Sequence, residues 1–260
     1  MKNNCIKKAG PKFPKKVLIC AGLCSLLFIL SALCPGPAGA DPETSRKFLY
    51  HIYWSGIKAG EAVMEYRDTP EGFTIKTHAT SSAFLSIFYK VDDIAQSILY
   101  QDGYPKNYLL QISEGRTRKD KTAHFTREAE GSSQKIIYYD RLKDETREYY
   151  SEKPAHDPLS AFYEMTKRDL KVGQSEYIHI FDNKKLMSTE IAVLKEEKIR
   201  VPAGEFETLL VNPRLETEGI FLKEGAMHIW VTADARRVPV LFESKAKIGS
   251  FTAKLMKEYR

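Results

Sequence analysis

Apolar and polar positions alternate in short runs along most of this chain, and a period of two is the mark of half-buried strands. Residues 47–54 (KFLYHIYW) are aromatic and β-rich, residues 61–66 (EAVMEY) alternate, and residues 73–79 set Phe73, Ile75 and Thr77 against Thr74, Lys76 and His78. Thr69-Pro70-Glu71-Gly72 reads as a tight hairpin turn, with Pro fixing φ and Gly supplying a positive φ. Asp182-Asn183-Lys184-Lys185 plays the same part between strands at 176–181 and 187–194. Further strands are predicted at 94–100, 108–113, 122–127, 134–140, 145–150, 207–213, 227–232, 238–244 and 252–259. Turn signals roughly every 8–12 residues predict an antiparallel meander, sandwich or barrel. The fold class is therefore mainly β: a curved antiparallel sheet, as a sandwich, half-barrel or clam, with one face of each strand buried.

One segment breaks the alternation. Asp157-Pro158-Leu159-Ser160-Ala161-Phe162-Tyr163-Glu164-Met165 carries a helix start, with Asp157 able to cap the free N–H groups and Pro158 tolerated at the first position. Leu159, Phe162 and Tyr163 fall on one stripe, so a single amphipathic helix ending near Asp169 is expected to lie on the sheet. The stripe predicts that Phe162→Ala costs about 3–5 kcal/mol, against about 1 kcal/mol for the lost cap in Asp157→Ala. Residues 83–89 (AFLSIFY) form either a second short helix or an apolar loop, which residue order alone does not decide.

The first forty residues have a different texture. Lys2, Lys7, Lys8, Lys12, Lys15 and Lys16 make a basic head, Val17 to Cys34 is an unbroken run of apolar and small residues, and Pro35-Gly36-Pro37 leads to Ala38-Gly39-Ala40. That order is a secretory signal with cleavage expected after Ala40, which leaves residues 41–260 as a single β-rich domain in the periplasm. The alternative is an uncleaved anchor, since the run is barely long enough to cross about 30 Å of hydrocarbon. Cys20, Cys24 and Cys34 follow Ile19, Leu23 and Leu33, where a lipid-modified cysteine needs a small residue.

Charge and cysteine content then change their meaning. Setting aside the six lysines of the head leaves 34 Lys+Arg against 34 Asp+Glu, so the net +6 belongs to the signal and gives no reason to expect a nucleic-acid partner. All four cysteines precede residue 41, which excludes disulfides, thiolate nucleophiles and Cys-ligated metals from the domain. Such a fold must rest on its core, and a domain of this length buries enough surface for that.

Catalytic signatures are scarce. There is no G-x-S-x-G, H-E-x-x-H, phosphate loop or G-x-G-x-x-G. The histidines at 51, 78, 124, 156, 179 and 228 are scattered, and no metal or cofactor is assigned. Asp92-Asp93 would point to opposite strand faces, which suits a turn or cap better than acid–base work. Arg116 and Arg118, in the basic run EGRTRKDK, are two apart and would share a strand face able to grip an anionic group. The large aromatics suggest either a solid core or a groove for an apolar ligand, and Trp54, Phe84, Tyr108, Phe162, Tyr163 and Trp230 are the candidate ligand-binding residues.

Several phrases in order carry a resemblance: Leu49-Tyr50 through Trp54-Ser55-Gly56-Ile57-Lys58-Ala59-Gly60, Pro105-x-x-Tyr108, and Asp157 to Tyr163. Val201-Pro202-Ala203-Gly204-Glu205-Phe206, Ile229-Trp230-Val231-Thr232 with Asp234 and Arg237-Val238-Pro239-Val240, and Lys245 with Ile248-Gly249-Ser250 complete the set. Together they resemble the bacterial envelope family DUF3108, over nearly all of the domain. The resemblance implies an exported β-rich protein of a Gram-negative envelope and brings no catalytic residues. The V-P-A-G-x-F phrase is also similar to one in curved-sheet periplasmic lipid carriers, by analogy only. Locally, Pro202 and Gly204 are expected to turn the chain and deliver Phe206 to the core, and Asp234 to shape the turn before Val238-Pro239 restarts an edge strand. Three readings follow: a non-enzymatic carrier of an apolar or lipid-like ligand, an envelope interaction module, and a hydrolase of envelope glycans or lipids with carboxylates converging across strands.

Overall fold

The computed structural model describes residues 45–127, 133–214, 227–245 and 249–259. The expected signal segment at 1–40 lies outside the described residues. Fourteen strands form one antiparallel sheet: β1 Ser45–Trp54, β2 Ile57–Thr69, β3 Gly72–Ser81, β4 Asp92–Leu99, β5 Pro105–Glu114, β6 Thr117–Arg127, β7 Gln134–Asp140, β8 Glu145–Ser151, β9 Ser175–Asp182, β10 Lys185–Val201, β11 Gly204–Arg214, β12 Met227–Thr232, β13 Pro239–Lys245 and β14 Ser250–Tyr259. Among the described residues two helices interrupt them, α1 Ala83–Ser86 and α2 Pro158–Lys167. Residues 83–89 thus resolve into one helical turn followed by a loop.

The spatial order is β8-β7-β6-β5-β4-β3-β2-β1-β14-β13-β12-β11-β10-β9. Each strand pairs with its neighbour in sequence, and β1 pairs with β14. The order is therefore cyclic and broken at one place, between β8 and β9, where α2 is inserted. The ladder does not close there into a barrel. Beyond β8 the chain meets β9 through one parallel bridge, His156 with Ile180, made by His156 N–H to His179 O at 2.8 Å and Phe181 N–H to His156 O at 2.8 Å.

Turn chemistry sets the register. Asn183 and Lys184, both at positive φ (44° and 69°), make the two-residue hairpin that pairs Asp182 with Lys185 across β9 and β10. Asp234 shapes the β12–β13 turn as expected, accepting from Thr232 Oγ1 at 2.6 Å and from Arg236 N–H at 3.2 Å. The strand that follows is not an edge. β13 lies between β12 and β14, and Pro239 is tolerated as its first residue, at a register shift where no ladder donor is needed.

Four apolar clusters hold the sheet. The largest joins Ala161 and Met165 of α2 to Ile178, Ile180, Ile191, Val193, Leu209, Val211, Ile229 and Val231. On its other side α2 sends Leu159 and Tyr163 to Phe73, Ile75 and Leu99 of β3 and β4. A helix that touches both halves of the sheet sits in its hollow. The β10–β11 hairpin brings Val201 and Phe206 to Phe48, Tyr50 and Leu255, and Ala203 N–H bonds Leu255 O at 3.1 Å. The face of α2 that is most buried differs from the predicted stripe. Ser160, Ala161 and Met165 point inward, while Leu159, Phe162 and Tyr163 are half-buried on its flanks. Small side chains at 160 and 161 let the helix backbone approach the sheet, so the bulky residues wedge to either side.

Candidate functional site

The start of α2 is anchored by a buried carboxyl. Asp157 Oδ1 accepts from Leu159 N–H at 2.9 Å and Ser160 N–H at 3.1 Å, and Oδ2 from Ser97 Oγ at 2.6 Å and Ser160 Oγ at 2.9 Å. It is therefore both the helix cap and a tie to β4. Burial pushes its pKa above the ordinary carboxylate value, against the lowering effect of these donors.

Two of the pockets among the described residues open around the hollow. One, of about 170 Å³, lies between β1–β3, α2 and the start of β13, and combines Phe48, Tyr66, Phe73 and Tyr163 with three arginines, Arg46, Arg236 and Arg237, and one carboxyl, Asp68. Its aromatic wall is continuous: Phe73 and Tyr163 have ring centroids 4.5 Å apart, Tyr66 and Tyr163 6.4 Å, and Phe48 and Tyr66 5.9 Å in an edge contact. Lys167 Nζ stands 4.2 Å over the Tyr163 ring. The arginines are braced. Arg46 and Arg236 both reach Glu258, at 3.5 and 3.3 Å, Arg236 also meets Asp234 at 3.1 Å, and Arg237 donates to Ala233 O. The arrangement suits a small group with an apolar body and a negative end.

The second pocket, of about 110 Å³, sits where the two ends of the sheet approach each other. Tyr108, Ala123, Tyr138, Phe181 and Met187 line it beneath Lys119, Lys121, Asp182, Asn183 and Lys185. Lys121 donates to Asn183 Oδ1 at 2.9 Å, and Lys184 reaches Glu145 at 2.7 Å, so polar contacts join the two ends. Burial pushes the Tyr138 hydroxyl up to about 12. Both pockets are smaller than the roughly 300–1,000 Å³ of a site that encloses a drug-sized ligand.

The six candidate ligand residues are not gathered in one place. Tyr163 lines the larger pocket and Tyr108 the smaller. Phe162 packs against the main core, 6.0 Å from the Phe242 ring. Trp230 is a core residue whose indole N–H donates to Glu197 Oε1 at 2.8 Å. Trp54 and Phe84 are exposed, at the end of β1 and on α1. Arg116 and Arg118 do not share a strand face, because Arg116 lies in the β5–β6 turn and Arg118 folds back to donate to the Gly115 and Thr117 carbonyls at 2.8 and 2.7 Å. The residues missed are Arg46, Tyr66, Phe73, Arg236 and Arg237. They come from four segments that only the long-range β1–β14 and β13–β14 pairings bring together, so no local signal marks them.

Asp92 and Asp93 do point apart. Asp92 Oδ1 accepts from His78 Nε2 at 2.8 Å, and Asp93 Oδ1 accepts the Ser113 N–H at 2.8 Å. Asp93 also meets Glu114, whose pKa is raised to about 7 by burial and by that neighbouring carboxyl. Neither lines either of these pockets. His156, stacked on Tyr104 at 5.0 Å, is held neutral by burial with its pKa lowered to about 4. Among the described residues no group of three or more His, Cys, Asp or Glu is placed to hold a metal ion, and no helix is long and apolar enough to cross a membrane.

Comparison with known proteins places the fold. A β-barrel-like protein of domain of unknown function DUF1849 from Brucella abortus aligns with a TM-score of 0.56 at 12% identity, covering 82% of this chain and 96% of that one. At that identity the likeness is one of fold. A protein with a YmcC-like fold from Bacteroides fragilis, also 12% identical, covers 83% of this chain and 95% of its own at a TM-score of 0.31, too low to support a fold argument. None of the curated proteins matches this sequence. The family model described as protein of unknown function (DUF3108) matches residues 49–256, a span that takes in the whole sheet from within β1 to within β14 and every phrase of the expected resemblance. The chain belongs to the DUF3108 family.

Proposed function

We propose that this is an exported, non-enzymatic periplasmic protein that binds an apolar or lipid-like ligand for envelope maintenance or transport. The observation that carries the reading is the larger pocket, where the Tyr66, Phe73 and Tyr163 rings meet three arginines at an opening beside α2. Its size sets what it holds: one end of an amphipathic molecule with an anionic group, the rest remaining outside. Export rests on the basic, apolar and small-residue order of residues 1–40. The hydrolase reading asks for two carboxylates converging in a concave site, and the Asp93–Glu114 pair lies away from both pockets, which favours binding over catalysis.

Native mass spectrometry and lipid extraction of the protein recovered from its own periplasm test this. An anionic amphiphile is expected on the wild type and is expected to be depleted from an Arg46→Gln/Arg236→Gln variant of unchanged melting behaviour. Bare wild-type protein, or equal loading of the variant, overturns the reading.

A further inference from the structure

Three connections meet at one end of the sheet. The start of β2, just past the β1–β2 turn, is tied to the loop between β3 and β4 by Ser82 N–H to Ala59 O at 2.7 Å. That loop is tied to the β5–β6 turn by Gly115 N–H to Lys90 O at 2.8 Å. Gly115 has φ 51°, and a Cβ there would stand 2.6 Å from the Tyr89 ring, so the turn is seated directly on the loop. Ser81 N–H to Val91 O at 3.0 Å closes the base.

What the loop presents is unusual for a surface. Phe84 is 70% exposed, Ile87 75%, Phe88 76%, and Ile57 on the neighbouring turn 69%. Phe84 and Phe88 pack only edge to face on each other, with centroids 5.9 Å apart. These side chains form a protruding tip, and none of them joins the sheet's apolar clusters. Beside the tip stand Lys90, Arg116, Arg118 and Lys119, all exposed, while the carboxyls of Asp92, Asp93 and Glu114 lie at its foot, where the loop and turn rejoin the sheet. Lys90 and Arg116 pair with no carboxylate among the described residues.

We propose that this end of the sheet docks on an anionic lipid bilayer, placing Phe84, Ile87 and Phe88 among the acyl chains while Lys90, Arg116 and Arg118 meet the headgroup phosphates. An apolar tip beside a rim of cations is the arrangement that interfacial anchors use, because burial of the rings and attraction to anionic headgroups add. A patch of a few exposed side chains is too small for a stable protein interface, which buries about 800 Å² on each partner. The docking does not depend on the pocket beside α2.

The test uses protein purified from an exporting Gram-negative host, in the form that export leaves, with parent and variants compared so that any contribution from the N-terminal segment cancels. Sedimentation is measured with vesicles of phosphatidylglycerol and phosphatidylethanolamine, and with vesicles of phosphatidylcholine alone. Phe84→Ser/Phe88→Ser is expected to lower affinity for the anionic vesicles by at least about tenfold per ring. Arg116→Gln should lower it about fivefold and flatten its salt dependence. Thermal melts of both variants should match the parent. Equal binding to phosphatidylcholine, or undiminished binding of the double variant, overturns the proposal. So does failure to bind vesicles while a cross-linker at position 88 captures one protein in fixed ratio.

Discussion

α1 and α2 are written with much the same residues and meet opposite fates. Ala83-Phe84-Leu85-Ser86 and Leu159-Ser160-Ala161-Phe162 both mix one phenylalanine with leucine, alanine and serine. α2 lies in the hollow with Ala161 and Met165 almost wholly buried, while α1 has no buried residue and lifts Phe84 into solvent. The caps differ in the same way. Asp157 is buried and holds four donors, whereas Ser82 accepts one backbone N–H at a long 3.4 Å. Apolar content therefore does not decide which segment enters a core. The number of strands a segment can touch decides it, and α2 reaches β9 to β12 on one side and β3 and β4 on the other.

The largest expected effect puts that difference to direct trial. Met165→Ala, deep in the main cluster, should lower stability by about 3 kcal/mol in denaturant melts. Phe88→Ala should change it by no more than about 0.5 kcal/mol, as exposed positions do. Comparable losses at the two sites would mean that the α1 tip is packed and that the contrast is false.

Next in size is the response to acid. His156 immediately precedes α2 and forms the single bridge to β9, and burial, with help from Arg168 and Lys167 and against Asp102, holds its pKa near 4. A histidine whose folded pKa is depressed keeps its full contribution above the unfolded pKa of about 6.5 and loses it as pH falls towards 4. Between about pH 7 and pH 4 the parent should therefore lose roughly 2–3 kcal/mol more than His156→Phe, which keeps the stack on Tyr104. Parallel urea melts at the two pH values check this. A parent and a variant that lose stability equally would show that His156 is charged or solvated in the fold.

These sites also mark how far the residues could be read without coordinates. The strands were legible because alternation and turn residues are local: 134–140 was predicted with the bounds of β7, and Asn183-Lys184 makes its hairpin. The helix start was legible for the same reason, since Asp157 and Pro158 act within one turn. The burial of α2 was not. Spacing pointed to Leu159, Phe162 and Tyr163, yet the inward face is Ser160, Ala161 and Met165, because close approach favours small residues where a stripe count favours large ones. The larger pocket was least legible. Arg46 and Arg236 lie nearly two hundred residues apart in the chain, and both reach Glu258 because β14 returns to pair with β1.

The caps give a smaller effect. Asp157→Ala removes two backbone bonds to α2 and leaves the buried Ser97 hydroxyl without its acceptor, while relieving the burial of a carboxyl. The balance should be a loss of about 2 kcal/mol. Half-buried Phe162→Ala should lose a similar amount, about 2 kcal/mol, below the range its stripe position suggested. Ser82→Ala, a half-exposed cap with one long bond, should lose about 0.5 kcal/mol or less. Thermal melts rank the three, and a Ser82→Ala loss equal to that of Asp157→Ala would remove the distinction between the helix starts.

The smallest effect separates two carboxyls whose pKa values are both raised. Asp157 is raised by burial against four stabilising donors, whereas Glu114, at the foot of the α1 tip, is raised to about 7 by burial and by Asp93 beside it. For Glu114 the folded state holds its proton more tightly than the unfolded one, so its contribution is complete below the ordinary value of 4.5 and declines as pH rises to about 7. Glu114→Gln carries no such charge. It should match the parent at about pH 4 and exceed it by a few tenths of a kcal/mol at about pH 8, a modest gain because solvent screens a half-buried group. Asp157→Asn should give no gain at either pH, since an amide nitrogen in place of one carboxyl oxygen would face the Ser97 and Ser160 hydroxyls or the two backbone donors. A Glu114→Gln curve parallel to the parent at every pH would mean that burial and the neighbouring Asp93 carboxyl do not raise the Glu114 pKa in the folded protein.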